Sequence, residues 1–148
     1  MYKRQLFVEP VIAQVATDHG LAAADHTIGL TCDGPVVARV DAVSLQQILG
    51  HLIDNAIKYT PGGGHITISA RTDEGRAILT VADDGPGLPD GFDPFAVFTR
   101  GGESERQAQG SGLGLHIVRS IVTRLRGQVT AHNAPDGGAV FEVELPGP

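Results

Sequence analysis

The sequence predicts an α+β fold: a two-layer sandwich in which a mixed, mostly antiparallel sheet is covered on one face by about three helices. Three observations lead there. One segment, 41–59, carries apolar residues at strict helical spacing. Two pairs of short alternating runs flank turn signals and read as hairpins. Strands and helices mix without the regular strand–helix–strand alternation of a parallel sheet, so one sheet with helices on one face is the economical arrangement. A chain of 148 residues, 41% apolar, is enough for one domain with a real core. Residues 1–5 read as a linker stub or cloning remnant and 6–148 as the domain.

In chain order, "LFVEPVIAQVATDHG" predicts a short strand and then a helix starting at Pro10. "TIGLTC" and "VVARV" predict strands. The strongest helix follows in "VDAVSLQQILGHLIDNAIKYT": Asp41 is a suitable N-cap, Leu45, Ile48, Leu49, Leu52, Ile53, Ala56 and Ile57 form an apolar arc, and Pro61 with three glycines ends it. "HITISAR" and "AILTVAD" form a hairpin about Asp73 to Gly75, leading into the glycine-rich "DDGPGLPDG". The polar stretch within about 90–111 is near the length at which an unstructured loop has a job or is disordered, and we read it as a lid. The last helix opens at "GSGLGLHIV", with Ile117, Val118, Ile121, Val122 and Leu125 as its apolar stripe and Gly127 as its cap. "QVTAHN" and "AVFEVEL" close the chain as a second hairpin around "PDGG".

Composition removes several function classes. A net charge of −6 without a dense Lys/Arg run argues against non-specific nucleic-acid binding and against direct contact with an anionic membrane. An anionic ligand therefore needs a local site. The single Cys32 rules out an internal disulfide, no Cys/His cluster has metal-ligand spacing, and no apolar run reaches the roughly 18 residues that span a bilayer. A cytoplasmic location, in a parent protein that is itself a possible membrane sensor, is the expectation.

Three constellations carry chemistry. On the 41–59 helix, at about 100° per residue, His51, Asn55 and Lys58 fall within roughly 60° of one another, outside the apolar arc. They offer an imidazole, a neutral amide oxygen suited to Mg²⁺ and a point charge for phosphate; a plain solvated helix face is the alternative. In "DDGPG", Asp83 ends an apolar strand beside Gly85 and Gly87, placing an acceptor-only carboxylate where a flat amino-bearing base can approach; a simple turn is the alternative. In "GSGLGLHIV", glycines 110, 112 and 114 weaken a helix start by roughly 0.5–1 kcal/mol each. The stretch matches neither the dinucleotide nor the P-loop pattern, but free N–H groups at a helix end hold anionic oxygens, and tight packing is the competing reason for the glycines.

Taken in order, "LQQILGHLIDNAIKYT", "DDGPGLP", "FAVFTRGG" and "GSGLGLHIV" resemble the N, G1, F and G2 boxes of the sensor histidine kinase ATP-binding domain, in the group that includes gyrase, the Hsp90 chaperones and mismatch-repair ATPases. The resemblance covers nearly the whole chain and implies the Bergerat-type ATP-binding fold. It implies that Asn55 ligates Mg²⁺, Lys58 contacts phosphate and Tyr59 packs near the base. It further implies that Asp83 accepts from the adenine amino group, that Gly85 and Gly87 shape the adenine loop, and that Gly110, Ser111, Gly112, Leu113, Gly114 and Leu115 place the triphosphate at the helix end. Phe95 and Phe98 match the F box, and Arg100 matches a basic position that steadies the terminal phosphate. ATP and Mg²⁺ are the implied cofactors.

Departures refine this. His51 stands where many histidine kinases have Asn and where hydrolysing relatives keep a general-base Glu, which suits phosphoryl transfer and disfavours water activation. The segment from Pro89 to Phe95 is short for the family. None of His19, His26, His51, His65, His116 and His132 sits in the family's phosphoacceptor pattern. The expected partner is therefore a separate dimerisation and histidine-phosphotransfer domain of the parent kinase, with a response regulator reached indirectly and the isolated domain mainly monomeric. Two further readings stay open: a free-standing serine kinase of the anti-sigma-factor type, and a non-catalytic nucleotide-responsive module.

Overall fold

The computed structural model describes residues 5–22, 27–60, 64–88, 112–135 and 137–148. The chain begins with β1 (Leu6–Phe7) and runs at once into α1 (Val8–Ala22). The helix starts two residues before the expected Pro10, which is tolerated in the first turn because the amides there have no partner within the helix. The first of them, Val8 N–H, donates instead to the Val36 carbonyl at 2.9 Å. β2 (Thr27–Cys32) follows as expected, but of "VVARV" only Val37 and Ala38 form a strand, β3. β3 pairs with β1 in a separate two-stranded sheet that the sequence reading did not anticipate. The alternate residues Val36, Ala38 and Val40 are buried in the core, so the segment follows strand periodicity while lying outside the main sheet.

α2 (Ala42–Tyr59) is capped as its sequence implies: the Asp41 side chain accepts from Ser44 N–H at 3.0 Å. Of its apolar arc, Leu45, Ile48, Leu49, Leu52, Ile53 and Ala56 are buried and Ile57 packs half-buried against them. β4 (His65–Asp73) and β5 (Arg76–Asp83) form the expected antiparallel hairpin. Its two-residue turn has Glu74 at φ 52° and Gly75 at φ 79°, the left-handed pair that matches strand twist. α3 (Gly112–Arg124), β6 (Gln128–Asn133) and β7 (Ala139–Pro146) complete the chain.

The main sheet has the order β2-β4-β5-β7-β6, with β2 parallel to β4 and the other pairs antiparallel. α2 packs between α1 and α3. The core lies between helices and sheet, where Ile66, Ile68, Leu79, Val81, Phe141, Val143 and Leu145 from alternate strand positions meet the helical arcs. This is the mixed two-layer sandwich expected.

α3 corrects two expectations. Ile117, assigned to the apolar stripe, is 42% exposed, while Leu115, Val118, Ile121 and Val122 are buried. The buried set keeps strict three- and four-residue spacing, and Ile117 falls one position off it. Gly127 does not take the left-handed cap position. Arg126 does, at φ 68°, with its N–H bonded to Thr123 O at 3.0 Å and Gly127 N–H bonded to Val122 O at 2.9 Å, the two bonds of a Schellman stop. Gly127 is needed because a Cβ there would run into the Glu144 carbonyl.

Candidate functional site

Asp83, the last residue of β5, is held by backbone rather than by other side chains. Its Oδ1 accepts from Gly85 N–H at 2.9 Å and from Ala139 N–H, at the start of β7, at 3.2 Å. Oδ2 makes no hydrogen bond among the described residues and is free to accept from a ligand. The next residue, Asp84, is tied to the start of β4. Its Oδ1 accepts from His65 N–H at 2.9 Å and its Oδ2 lies 3.1 Å from His65 Nδ1, while its own N–H donates to His65 O at 3.2 Å. The His65 backbone N–H foremost, and then the imidazole, hold the Asp84 carboxyl below its ordinary value. The two adjacent aspartates thus divide the work, one anchoring the strand end and the other keeping a free oxygen.

Gly87 adopts φ +88°, and a Cβ there would stand 2.7 Å from Asn133 Oδ1. The loop after Asp83 therefore needs glycine for its backbone angle and for its closeness to β6. Leu88, next along, donates its N–H to Asn133 Oδ1 at 2.6 Å and accepts from Asn133 Nδ2 at 3.2 Å. Gly138, at φ +91°, packs so closely on the Asp83 carbonyl that a Cβ would overlap it. Asn133 and Gly138 lay outside the sequence reading. Their signal was present only as "HN" and "GG" around a turn, 45 or more residues from the loop they support.

On α2, the edge that carries His51, Asn55 and Lys58 is not a uniformly solvated face. Lys58 is exposed and His51 half-buried, but Asn55 is only 6% exposed. Its Oδ1 is buried with no hydrogen-bond partner among the described residues. A lone helix would leave that position in water, whereas in the fold α2 lies between α1 and α3 and Asn55 is buried. A buried amide oxygen without a partner costs roughly 1–3 kcal/mol, and a cation or ligand proton at that atom offsets the loss. Asp54, beside it, bonds across to α1, its Oδ1 lying 2.7 Å from His19 Nδ1.

Gly112, Leu113 and Gly114 form the first turn of α3, so Gly112 and Gly114 stand at a helix N-terminus. The Leu115 side chain is buried in the core, which confines any contact with a ligand to its backbone. Tyr59 is the last residue of α2, described by its backbone alone. Phe95, Phe98, Arg100, Gly110, Ser111 and the expected lid lie outside the described residues. Among the described residues, no group of three or more His, Cys, Asp or Glu side chains could hold a metal, and no helix is long and apolar enough to cross a membrane.

A mixed sheet covered on one face by helices is the architecture of the sandwich-type ATPase domains. Residues 40–148 match the family of histidine kinase-, DNA gyrase B- and HSP90-like ATPases, and the chain belongs to it as a sensor histidine kinase catalytic ATP-binding domain. It is similar to the sensor histidine kinase component HK1 of Mycobacterium tuberculosis, 36% identical over 143 residues that cover 95% of this chain and 82% of that protein. The sensor histidine kinase TmoS of Ectopseudomonas mendocina is 38% identical over 133 residues, which cover 84% of this chain but 13% of TmoS. The domain thus corresponds to a small part of such larger kinases. Among solved structures, the mycobacterial sensor histidine kinase MprB superposes with a TM-score of 0.83 at 27% identity, over 99% of this chain and 98% of that one. Full-length ShkA in complex with AMPPNP superposes equally well, at 0.83 and 27%, over 99% of this chain and 31% of that one.

Proposed function

We propose that this domain binds Mg²⁺-ATP and donates the γ-phosphate to a histidine on a separate dimerisation and phosphoacceptor domain in two-component signalling. The observation that carries the nucleotide assignment is Asp83, whose carboxylate is half consumed by the fold and half free at the strand end. Oδ2 accepts from the adenine amino group, and the Gly85–Gly87 loop lets the flat base approach. The nucleotide carried by full-length ShkA, a structure of the same fold and above one-quarter identity, supports this reading.

The donor set on α2 fits a magnesium ion. Asn55 presents a neutral, buried, unpartnered oxygen, and Mg²⁺ takes few protein ligands, filling its octahedron with phosphate oxygens and water. When bound, the ion neutralises charge on the phosphates. Lys58, exposed at the end of the same helix, meets a phosphate as a point charge, and Arg100 steadies the terminal one. The amides of the sequence stretch from Gly110 to Gly114, of which Gly112 to Gly114 open α3, receive the remaining phosphate oxygens. In the transfer the unprotonated ring nitrogen of the acceptor imidazole forms a bond to phosphorus, the bond from phosphorus to the ADP oxygen breaks, and the proton on the other ring nitrogen is released. Positioning and charge neutralisation supply most of the rate. His51, in place of a carboxylate base, leaves water poorly activated.

The test is a labelled-ATP assay with an added paired-helix histidine domain of a related kinase. Acid-labile, base-stable phosphate on that domain's histidine is the expected result. Phosphoserine on a different partner would instead assign a serine kinase, and nucleotide binding without transfer to either would leave a binding module.

A further inference from the structure

We propose that Asn133 is a positioning residue for the nucleotide base: its carboxamide clamps the far end of the loop that begins at Asp83 and thereby sets where the free oxygen of Asp83 points. The proposal rests on the adenine reading of Asp83 and deepens it.

Three observations carry it. One side chain satisfies both backbone groups of one residue, accepting from Leu88 N–H at 2.6 Å and donating to Leu88 O at 3.2 Å, as a neighbouring strand would. Asparagine suits this task because its amide presents an acceptor and a donor side by side; aspartate keeps only the acceptor and alanine neither. Second, Asn133 and Ala139 are register partners across the β6–β7 pair. Ala139 N–H holds Asp83 Oδ1 at 3.2 Å, so the two ends of the 83–88 loop are tied to opposite members of a single cross-strand pair. The loop is bracketed by a rigid rung of the sheet. Third, Gly87 accommodates the clamp: a Cβ there would stand 2.7 Å from Asn133 Oδ1. The glycine attributed to base access also admits the asparagine that holds the loop in place.

Freed at Leu88, the loop stays covalently joined to β5 but samples other paths, and the base loses a preformed seat. Affinity for the base falls while affinity for the phosphates, held by other elements, does not. Losing the two hydrogen bonds of a partly exposed clamp corresponds to about a three- to thirtyfold loss of ADP affinity.

The experiment is calorimetry on the 148-residue chain with ADP and, separately, with magnesium tripolyphosphate, for the wild type, Asn133→Ala, Asn133→Asp, Asp83→Asn and the Asp83→Asn/Asn133→Ala double variant. Asn133→Ala binds ADP about three- to thirtyfold more weakly and tripolyphosphate as before, and Asn133→Asp lies between it and the wild type. In the double variant the two losses do not add, because Asn133 acts through Asp83. Wild-type ADP affinity in Asn133→Ala, equal losses for ADP and tripolyphosphate, or strict additivity would each overturn the proposal. An effect of Asp83→Asn without one of Asn133→Ala rejects the clamp alone, whereas an inert Asp83→Asn rejects the adenine reading beneath it. Should Asn133→Ala not fold, Asn133→Asp decides, together with hydrogen exchange in the wild type. The Leu88 amide is protected if the clamp persists in solution, and exchange at the rate of an open loop overturns it.

Discussion

Replacing Asp83 by asparagine separates recognition from architecture. The Oδ1 contacts with Gly85 N–H and Ala139 N–H, at 2.9 and 3.2 Å, need only an acceptor, which the asparagine carbonyl supplies. The other position changes from a free carboxylate oxygen to an NH₂ group, so a donor faces the donor of adenine. The base loses a charge-assisted hydrogen bond worth about 1.5–3 kcal/mol, which is roughly ten- to a hundredfold in affinity. The fold loses much less, since the two amide bonds become neutral without being broken. Asp83→Ala behaves differently: both backbone N–H groups are left without their acceptor beside a partly buried strand end, at about 1–3 kcal/mol of stability. Calorimetric titration with ADP and denaturant unfolding of the two variants read the two quantities separately. Unchanged ADP affinity in Asp83→Asn would refute the adenine assignment. An alanine variant as stable as the asparagine variant would refute the structural half of the reasoning.

Three further outcomes are expected. Asn55→Ala removes the dependence of ATP affinity on Mg²⁺ and abolishes phosphotransfer, while ADP affinity measured in EDTA stays near the wild-type value; a retained Mg²⁺ dependence contradicts the metal role. Arg126→Gly relieves the left-handed strain at φ 68° and raises stability by about 0.5–1 kcal/mol, read as a higher denaturant midpoint at unchanged slope; a lower midpoint contradicts it. Asp84 has a lowered carboxyl pKa, so its contribution is complete above the ordinary value of 3.8 and lost as pH falls through the lower folded value. Unfolding midpoints of Asp84→Asn therefore fall less steeply below pH 3.8 than those of the wild type, and parallel curves there would show that the His65 contact does not stabilise the fold.

Much of the fold was legible because local signals and tertiary demand agree. α2 carries its own cap and an apolar arc matching its buried face, and both hairpins announce their turns. Two of the failures share one cause. β3 was read as part of the main sheet because alternation reports which residues are buried, not which strand lies alongside. Gly127 was read as the cap because glycine is the usual left-handed residue, yet its reason for being glycine is the Glu144 carbonyl from β7.

The sequence by itself determined the residue types of the candidate site, their order and their local settings: an aspartate ending a strand before glycines, an amide on an amphipathic helix, and a helix that starts on glycine. Each of these follows from neighbours within a few positions. Only the tertiary structure decided that Asn55 Oδ1 is buried without a partner, that Asp83 keeps one oxygen free, and that Asn133 and Ala139 bracket the loop between Asp83 and Leu88. Those features depend on groups that meet through the sheet and the helix layer at separations of 45 and 56 residues along the chain. No periodicity or propensity encodes such meetings, because each strand and helix would look the same in isolation whatever it packed against.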